Sequence, residues 1–251
     1  MAEPWNPTIH HFESLGSTNT SLVADATNGA PAGTVYVADF QTAGRGRRDR
    51  TWEAPPESSL LCSVLLRPTI SLAEAHLATI AMALAAQTAV ERATTKAPLL
   101  KWPNDLLFDG AKFGGILAEV VPQSSPGSQQ VALVVGIGIN LTFSGPPESE
   151  ATSLEKATGR IIERDAFLHL LLEELGNRQS LLNNQSGRTT LLAEYKGVLS
   201  TLGREVRVEL ADTSLVGQAS TIGASGELGV EVDGELLWFH AGDVVHLRPT
   251  T

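Results

Sequence analysis

Hydrophobic positions along this chain follow two different periods. Residues 34–40 alternate around Val35 and Val37, and residues 59–67 and 131–141 are almost continuously apolar, which predicts three strands. The continuous run at 59–67 is typical of a strand in the centre of a sheet. Helix caps and apolar spacings of three and four residues predict helices over 17–28, 71–93, 165–182 and 190–199.

Shorter segments complete the predicted main sheet. Residues 9–12 and 99–102 each have the length and composition of a short strand. Residues 106–108 and 112–121 flank Asp109-Gly110, a dipeptide that strongly favours a β-hairpin. Loops are predicted at 123–130, which is rich in Pro, Ser and Gly, and at 146–153.

The pattern changes after Leu202. Five short strands separated by Gly and Asp turns are predicted over 204–210, 214–222, 227–232, 235–240 and 244–247. They form a small barrel or sandwich of about fifty residues. We therefore divide the chain into a main domain, residues 1–200, and a small all-β domain, residues 201–251, which gives an α+β protein.

Composition narrows the classes of function. Hydrophobic residues make up 42% of the 251 residues and the net charge is -10, which favours a globular protein without a general affinity for nucleic acid or anionic membrane. The single cysteine, Cys62, excludes an internal disulfide framework and a cysteine-based zinc site. The first residues have no signal-peptide pattern and the apolar stretch 72–90 carries polar residues, so we expect a reduced, cytoplasmic setting.

Candidate chemistry lies first in a glycine- and arginine-rich segment, Gln41-Thr-Ala-Gly-Arg-Gly-Arg-Arg-Asp-Arg-Thr-Trp52. Glycines let a backbone approach a ligand closely, and arginine presents a planar fork to phosphate or carboxylate oxygens. Trp52 offers a face for stacking on a purine. A solvated arginine-rich loop is the alternative for this segment alone.

A second candidate segment is Lys101-Trp-Pro-Asn-Asp-Leu106, followed by Lys112 and Gly114-Gly115. Asp105 could orient or deprotonate a nucleophile, help to hold a metal, or simply cap a turn. Lys112 beside the paired glycines is a candidate point charge for an anionic oxygen. In residues 136–140, glycines on alternate positions leave room for a ligand or for close packing.

Several common site types are absent from the sequence. The Gly/Arg segment fails the dinucleotide fingerprint because Asp49 stands at the last glycine and no helix pattern follows. There is no phosphate-binding Gly-x4-Gly-Lys-Ser/Thr motif and no Gly-x-Ser-x-Gly elbow. The six histidines are scattered without metal-ligand spacing, so we assign them structural or surface roles.

Taken in order, the segments 17–19, 41–52, 101–106, 112–119 and 136–141 resemble the bacterial biotin–protein ligases. The resemblance extends over about residues 8–248. It implies a mixed sheet flanked by helices, of the class II synthetase-like type, with a C-terminal SH3-like barrel. Since the first motif begins at Ser17, the chain resembles the short form without an N-terminal DNA-binding domain.

The resemblance also implies a two-step reaction. Biotin and ATP, with Mg²⁺ on the phosphates, give biotinyl-5'-AMP, and the biotinyl group then passes to one lysine of a biotin carboxyl carrier domain. That carrier belongs to an acetyl-CoA or pyruvate carboxylase. The choice between a monomer and a homodimer stays open. A lipoate–protein ligase, a biotin-responsive regulator and a simple biotin-binding module are the alternative functions.

Roles follow residue by residue from the same resemblance. Arg45, Arg47, Lys112 and Asp105 are the implied catalytic residues. Biotin is implied to contact Ser17, Thr18, Asn19, Gln41, Arg45, Gly46, Arg47, Lys112, Gly114 and Gly115. The nucleotide is implied to contact Arg47, Trp52, Lys101, Asn104 and Asn140. Asp49 departs from the family pattern, which often has glycine there, and we expect it to alter the ordering of the loop.

Overall fold

A seven-stranded mixed sheet forms the centre of the main domain. The structure, a computed structural model, describes residues 5–122, 131–146, 148–210, 213–240 and 242–247, so the predicted loop 123–130 lies outside the described residues. The strands are β1 (Thr8–Leu15), β2 (Thr34–Gln41), β3 (Ser59–Leu66), β4 (Leu99–Lys101), β5 (Asp105–Phe108), β6 (Ala111–Val120) and β7 (Leu133–Asn140). Their order is β1-β2-β3-β7-β6-β5-β4; β1 and β2 are parallel and all other neighbours are antiparallel.

Helices cover both faces of this sheet. They are α1 (Thr18–Thr27), α2 (His76–Thr94), α3 (Leu154–Thr158), α4 (Arg164–Gln179) and α5 (Gln185–Val198). Leu22 and Ala26 of α1 pack against Tyr36, Leu65 and Val134 on one face. The alanine-rich α2 lies in the core of the opposite face and packs along α4. The mixed sheet flanked by helices is confirmed, and the end of β2 and the central residues of β6 and β7 line a cleft.

Three helix boundaries differ from the prediction. The capping box of Ser71 and Glu74 is present, but it precedes a 3-10 turn and α2 begins only at His76. The helix predicted over 165–182 ends at Gln179 and continues as a 3-10 turn. Helix α5 begins five residues before the predicted start because the Asn184 side chain caps it, accepting a hydrogen bond of 2.8 Å from Gly187 N.

The C-terminal part of the chain forms a five-stranded antiparallel sheet. Its strands are β8 (Glu205–Glu209), β9 (Ser214–Ile222), β10 (Leu228–Val232), β11 (Glu235–Phe239) and β12 (Asp243–His246), in the order β11-β10-β9-β8-β12. Within the described residues no pairing joins β11 to β12, so the strands do not close the predicted barrel by hydrogen bonds. The division at residue 200 stays a prediction.

The two sheets share one hydrophobic core. Val206, Val208 and Leu228 of the C-terminal sheet belong to the same buried cluster as Leu100 and Trp102. The Trp102 Nε1 donates to Gly226 O at 3.0 Å, and the Trp102 backbone N donates to Thr201 Oγ1 at 3.0 Å. The turn after β4 is therefore fixed against the C-terminal sheet. No helix in the described part of the chain is long and apolar enough to cross a membrane.

Candidate functional site at the junction of the two sheets

A cleft of about 280 Å³ lies where the main sheet meets the C-terminal sheet. Its walls come from the start of α1, the loop after β2, the turn after β4, strands β6 and β7, and the start of β12. The first two candidate segments of the sequence are thereby brought to one place although they are about sixty residues apart. The cleft has two chemically different ends.

One end is lined by neutral polar side chains. Gln41 Oε1 accepts hydrogen bonds from the Thr18 backbone N at 2.7 Å and from Thr18 Oγ1 at 3.1 Å. The Gln41 amide group keeps its N–H donors for another partner, because these bonds use only its oxygen. Ser17 is buried and precedes α1 without capping it through its side chain. We call this the neutral end.

Asn19 is the best-fixed side chain of the neutral end. Its Nδ2 donates to Leu117 O at 3.0 Å and to Glu119 Oε2 at 2.9 Å, while Ser63 Oγ lies 2.6 Å from its Oδ1. A Cβ at Gly136 would lie 2.0 Å from Asn19 Oδ1, so only glycine admits the amide there. The amide orientation is set by the protein before any ligand arrives.

The other end is formed by the glycine- and arginine-rich loop, which folds as a small hairpin. Gly46 N donates to Arg50 O at 2.6 Å, and Trp52 N donates to Gly44 O at 3.0 Å. Arg48 and Asp49 at the tip have φ values of 52° and 59°, in the left-handed region. Such conformations cost on the order of 1 kcal/mol or more for non-glycine residues, so contacts elsewhere must hold the tip.

Carboxylates and carbonyls of the protein hold each loop arginine. Arg45 pairs with Glu119 at 2.8 Å, and Arg47 donates to Asn104 Oδ1 at 3.0 Å. Arg48 donates to Glu209 O at 3.1 Å. Burial lowers the pKa of the Arg47 guanidinium, with the neighbouring Asp243 acting in the opposite direction. We call this the cationic end.

Two lysines complete the cationic end. Lys112 Nζ lies 2.5 Å from Asp105 Oδ1, so the lysine and the aspartate that the sequence singled out form one ion pair. Burial lowers the pKa of Lys101, which also lines the cleft. Among the described residues, no group of three or more His, Cys, Asp and Glu side chains is placed to bind a metal ion.

Trp52 also lines the cleft. A Cβ at Gly138 would lie 2.6 Å from Trp52 Cε2, so the indole lies directly on the backbone of β7. Lys112 Nζ is 5.9 Å from the centre of the ring. The buried Trp52 Nε1 has no hydrogen-bond partner among the described residues, which is uncommon for an indole and suits a position that a ligand completes.

Comparison with known proteins decides the family. The profile of the Biotin/lipoate A/B protein ligase family matches residues 11–140, and that of the biotin protein ligase C-terminal domain matches residues 201–247. The biotin–[acetyl-CoA-carboxylase] ligase of Mycobacterium tuberculosis is 37% identical over 93% of this chain and 86% of its own length. The chain belongs to the biotin/lipoate protein ligase family.

Other relatives cover nearly the whole chain. The bifunctional ligase/repressor BirA of Bacillus subtilis is 31% identical over 94% of this chain and 73% of its own length. The structure of the biotin protein ligase of Aquifex aeolicus in complex with biotin and ATP has a TM-score of 0.79 at 26% identity, covering 96% of this chain and 98% of that one. The fold, including its C-terminal domain, is thus that of this ligase family.

Most of the residues that the family resemblance implied lie in the cleft. Those lining it are Ser17, Thr18, Asn19, Gln41, Arg45, Gly46, Arg47, Trp52, Lys101, Asn104, Asp105, Lys112 and Gly115. Gly114 does not line it; a Cβ there would lie 3.1 Å from Gly138 O, so this glycine serves strand packing. Asn140 does not line it either, because its buried side chain donates to Thr152 O at 3.0 Å.

Three polar residues in or next to the candidate site were not predicted. Ser63 and Glu119 bond Asn19, and Asp243 contacts the loop arginines. Glu119 had a detectable signal, since it follows Gly115 and Leu117 at the two-residue period of one strand face. Ser63 interrupts an apolar run, which also marks it. Asp243 has no such signal, because its role depends on how the two sheets pack together.

Proposed function

We propose that this protein is a biotin–protein ligase that joins biotin to AMP and then to a lysine of a carrier domain. One observation carries the proposal: a neutral hydrogen-bonding end and a cationic end meet in a single cleft that an indole also lines. An acyl-adenylate has matching parts, namely a polar uncharged head group, a phosphate and a purine. The residue roles below belong to the same proposal.

The neutral end suits the ureido ring of biotin. A buried ureido group has a carbonyl that accepts and two N–H groups that donate, and each must find a partner. The N–H donors of Gln41, which have no partner among the described residues, and the Ser17 hydroxyl, which does not cap its helix, are available to such a ring. The fixed oxygen of Asn19 adds an acceptor whose orientation Ser63 and Glu119 maintain.

The cationic end suits the first half-reaction. A carboxylate oxygen of biotin forms a bond to the α-phosphorus of ATP, and the bond to the departing pyrophosphate breaks. Both reactants are anions, so fixed cations lower the barrier most where negative charge accumulates. Arg47, Lys101 and Lys112 line the cleft, which supports this role for them, and we assign Trp52 to stacking on the purine.

Magnesium fits this site as an ion bound mainly by the phosphates of ATP. The cleft contains the carboxylates of Asp105 and Asp243, and each of them already pairs with a cation of the protein. Mg²⁺ usually binds through substrate phosphates with one or two carboxylates and several waters, which agrees with the absence of a three-acid cluster in the described residues. It would neutralise phosphate charge during adenylation.

The second half-reaction passes the acyl group to a lysine of the carrier. The lysine amine forms a bond to the acyl carbon, the bond to AMP breaks, and one amine proton must leave. A free lysine has a pKa of about 10.4, so a nearby carboxylate that accepts or orients the proton assists the attack. We assign this role to Asp105, which lines the cleft and which Lys112 must release when the ligands bind.

The decisive experiment combines the purified protein, biotin, MgATP and a biotin carboxyl carrier domain of acetyl-CoA carboxylase, followed by mass measurement of the carrier. We expect one biotinyl group on one lysine, and none on a carrier with that lysine replaced by arginine. Without the carrier, pyrophosphate release and bound biotinyl-AMP should remain. Biotin binding without pyrophosphate release would instead indicate a simple biotin-binding protein.

Two further measurements separate the alternatives. Excess lipoate should neither compete with biotin nor label the carrier; efficient lipoate transfer would assign the protein to the lipoate branch of the family. A DNA shift assay with biotinyl-AMP tests the regulator alternative, and we expect no shift. The buried, free Cys62 supports a reducing, cytoplasmic setting as part of the same proposal.

A further inference from the structure

The tip of the glycine- and arginine-rich loop rests on the C-terminal sheet. Arg48 and Arg50 both contact Asp243 Oδ2, the former at 3.4 Å, and Arg47 lies 3.9 Å from Asp243 Oδ1. Arg47 Nη2 also donates to Gly242 O at 3.1 Å. One carboxylate from the C-terminal sheet therefore faces three guanidinium groups of the loop.

Asp243 itself is well fixed. It is the first residue of β12 and pairs in register with Glu209 of β8, the residue whose carbonyl oxygen accepts from Arg48. Only 15% of its side chain is exposed, compared with 66% for Arg50. Asp243 is therefore the buried, strand-bound partner of the contact, and the more exposed loop arginine Arg50 is the partner that it holds.

The charges at this contact do not cancel. Three loop cations face one carboxylate, and the Lys112–Asp105 pair nearby is neutral, so positive charge remains for an anionic ligand. Asp243 thus holds the loop without removing its attraction for phosphate. Because the loop tip is in the left-handed region at Arg48 and Asp49, its closed shape depends on outside contacts.

We propose that Asp243 is a positioning residue that holds the arginine loop closed over the cleft from the C-terminal sheet. For its effect on catalysis the proposal rests on the proposed ligase function. Asp243 does not touch the reacting atoms; it keeps Arg47 and Trp52 near them and limits the escape of the adenylate. The C-terminal sheet thereby takes part in adenylation through a side chain that holds the loop.

Limited trypsin digestion of the ligand-free protein tests the contact directly, since trypsin cuts after arginine only where the chain can open. In Asp243→Ala, cleavage after Arg47 and Arg50 should be at least about fivefold faster than in the wild type. Glu205→Ala is the matched control, because it removes an exposed acid from β8 in the same sheet. We expect wild-type cleavage in that variant.

The catalytic readout is pyrophosphate release without a carrier. Asp243→Ala should release pyrophosphate repeatedly because the adenylate leaks and is hydrolysed, at a rate at least about fivefold above that of the wild type, which retains it. Biotin affinity should change less than the leakage rate does, since the side chains of the neutral end bond one another and the main sheet, not Asp243. Arg50→Ala should cause part of the same leakage, and the double variant should show no additive increase.

Asp243→Asn keeps the size of the side chain and decides the matter if the alanine variant does not fold. Equal cleavage and equal leakage in Asp243→Asn, Glu205→Ala and the wild type would overturn the proposal. The digestion uses no ligand, so its outcome is independent of the reaction. A wild-type protein that made no adenylate would refute the proposed function and leave the loop contact to be judged by the digestion alone.

Discussion

The two ends of the cleft solve the same problem of binding in different ways. At the neutral end, Thr18 donates to Gln41 and accepts from Ser63, and Asn19 donates to the main sheet at Leu117 O, all before a ligand is present. At the cationic end, Arg45 and Lys112 are each paired with a carboxylate of the protein. The first end is ready to bind, and the second must exchange partners.

This difference follows from what the two ends must do. A neutral head group binds most tightly to side chains that the fold already holds in position, because little conformational entropy is then lost on binding. Unpaired cations held together on a loop would repel one another, so carboxylates stabilise them until phosphate replaces the acid. We therefore expect substitutions at the neutral end to change biotin affinity and those at the cationic end to change rates.

Lys112→Ala tests the cationic end with the largest expected effect. If Lys112 offsets charge on the transferring phosphoryl group, its loss should lower adenylate formation by about 10²-fold or more. Single-turnover pyrophosphate release at saturating biotin measures this rate. Lys196→Ala, which removes an exposed lysine from α5, serves as the control and should react like the wild type. A normal rate in Lys112→Ala would remove the lysine from this role.

Gly136→Ala tests the neutral end. The added Cβ would lie 2.0 Å from Asn19 Oδ1, so the fixed amide must move, and overpacking of this kind costs about 1–3 kcal/mol. We expect biotin affinity, measured by titration calorimetry, to fall by about tenfold, with the adenylation rate at saturating biotin nearly unchanged.

Gly197→Ala is the matched control for that variant. A Cβ at Gly197 in α5 meets nothing within 4 Å, so the same chemical change leaves the cleft intact and favours the helix. If Gly136→Ala bound biotin as tightly as Gly197→Ala does, the neutral end would not depend on the orientation of Asn19, and the contrast between the two ends would fail.

Asp105→Ala separates the two half-reactions within the cationic end. The substitution frees Lys112, which then remains available to phosphate, so adenylate formation should be spared. Transfer to the carrier should fall about tenfold further than adenylation, the equivalent of about 1.4 kcal/mol. Quench-flow measurement of each step gives the ratio, and Lys112→Ala provides the opposite ratio for comparison. Equal loss in both steps would point to metal binding or folding.

Part of the neutral end carries local signals. Ser17 to Asn19 lie at a predicted helix start, and the glycines at 136 and 138 alternate on one strand face. Both patterns are visible in a short window of sequence, whereas Gln41 was implied by the family resemblance alone. The positions of most strands were predicted to within one or two residues for the same reason, because apolar periodicity and turn residues act locally.

For the cationic end, the sequence predicted which cations take part but not which residues pair with them. The sequence marks Arg45, Arg47, Lys101 and Lys112 as cations, but not their partners, because Glu119 and Asp243 reach them through tertiary packing. The likewise non-local bond from Asn140 to Thr152 O places that amide away from the cleft, against the nucleotide role implied for it. Whether a strand's amide faces a ligand or a loop depends on packing that no local pattern shows.

Asp49→Gly, at the tip of the loop, should change ligand binding only slightly. Asp49 has φ of 59° at the loop tip, where glycine would remove backbone strain and the substitution would also remove one negative charge beside the arginines. The loss of strain and the loss of the negative charge should both strengthen the binding of an anionic ligand. We expect ATP affinity to rise by about threefold or less at low salt, a gain below about 1 kcal/mol, with biotin affinity unchanged.

Ionic strength and a matched variant distinguish the electrostatic from the backbone contribution to this gain in ATP affinity. The gain should shrink at high ionic strength if it is electrostatic, because exposed charges are screened. Asp233→Gly makes the same exchange at φ of 51° in the turn between β10 and β11, so it reproduces the backbone change away from the cleft. Asp233 lies in the turn at the β11 edge of the C-terminal sheet, and the loop arginines contact β12 at the opposite edge. A threefold gain in ATP affinity in Asp233→Gly would therefore show that glycine acts through general flexibility.

Unchanged ATP affinity and unchanged adenylate leakage in Asp49→Gly would mean that loop closure is set by Asp243 and the arginines alone, whatever residue occupies the tip.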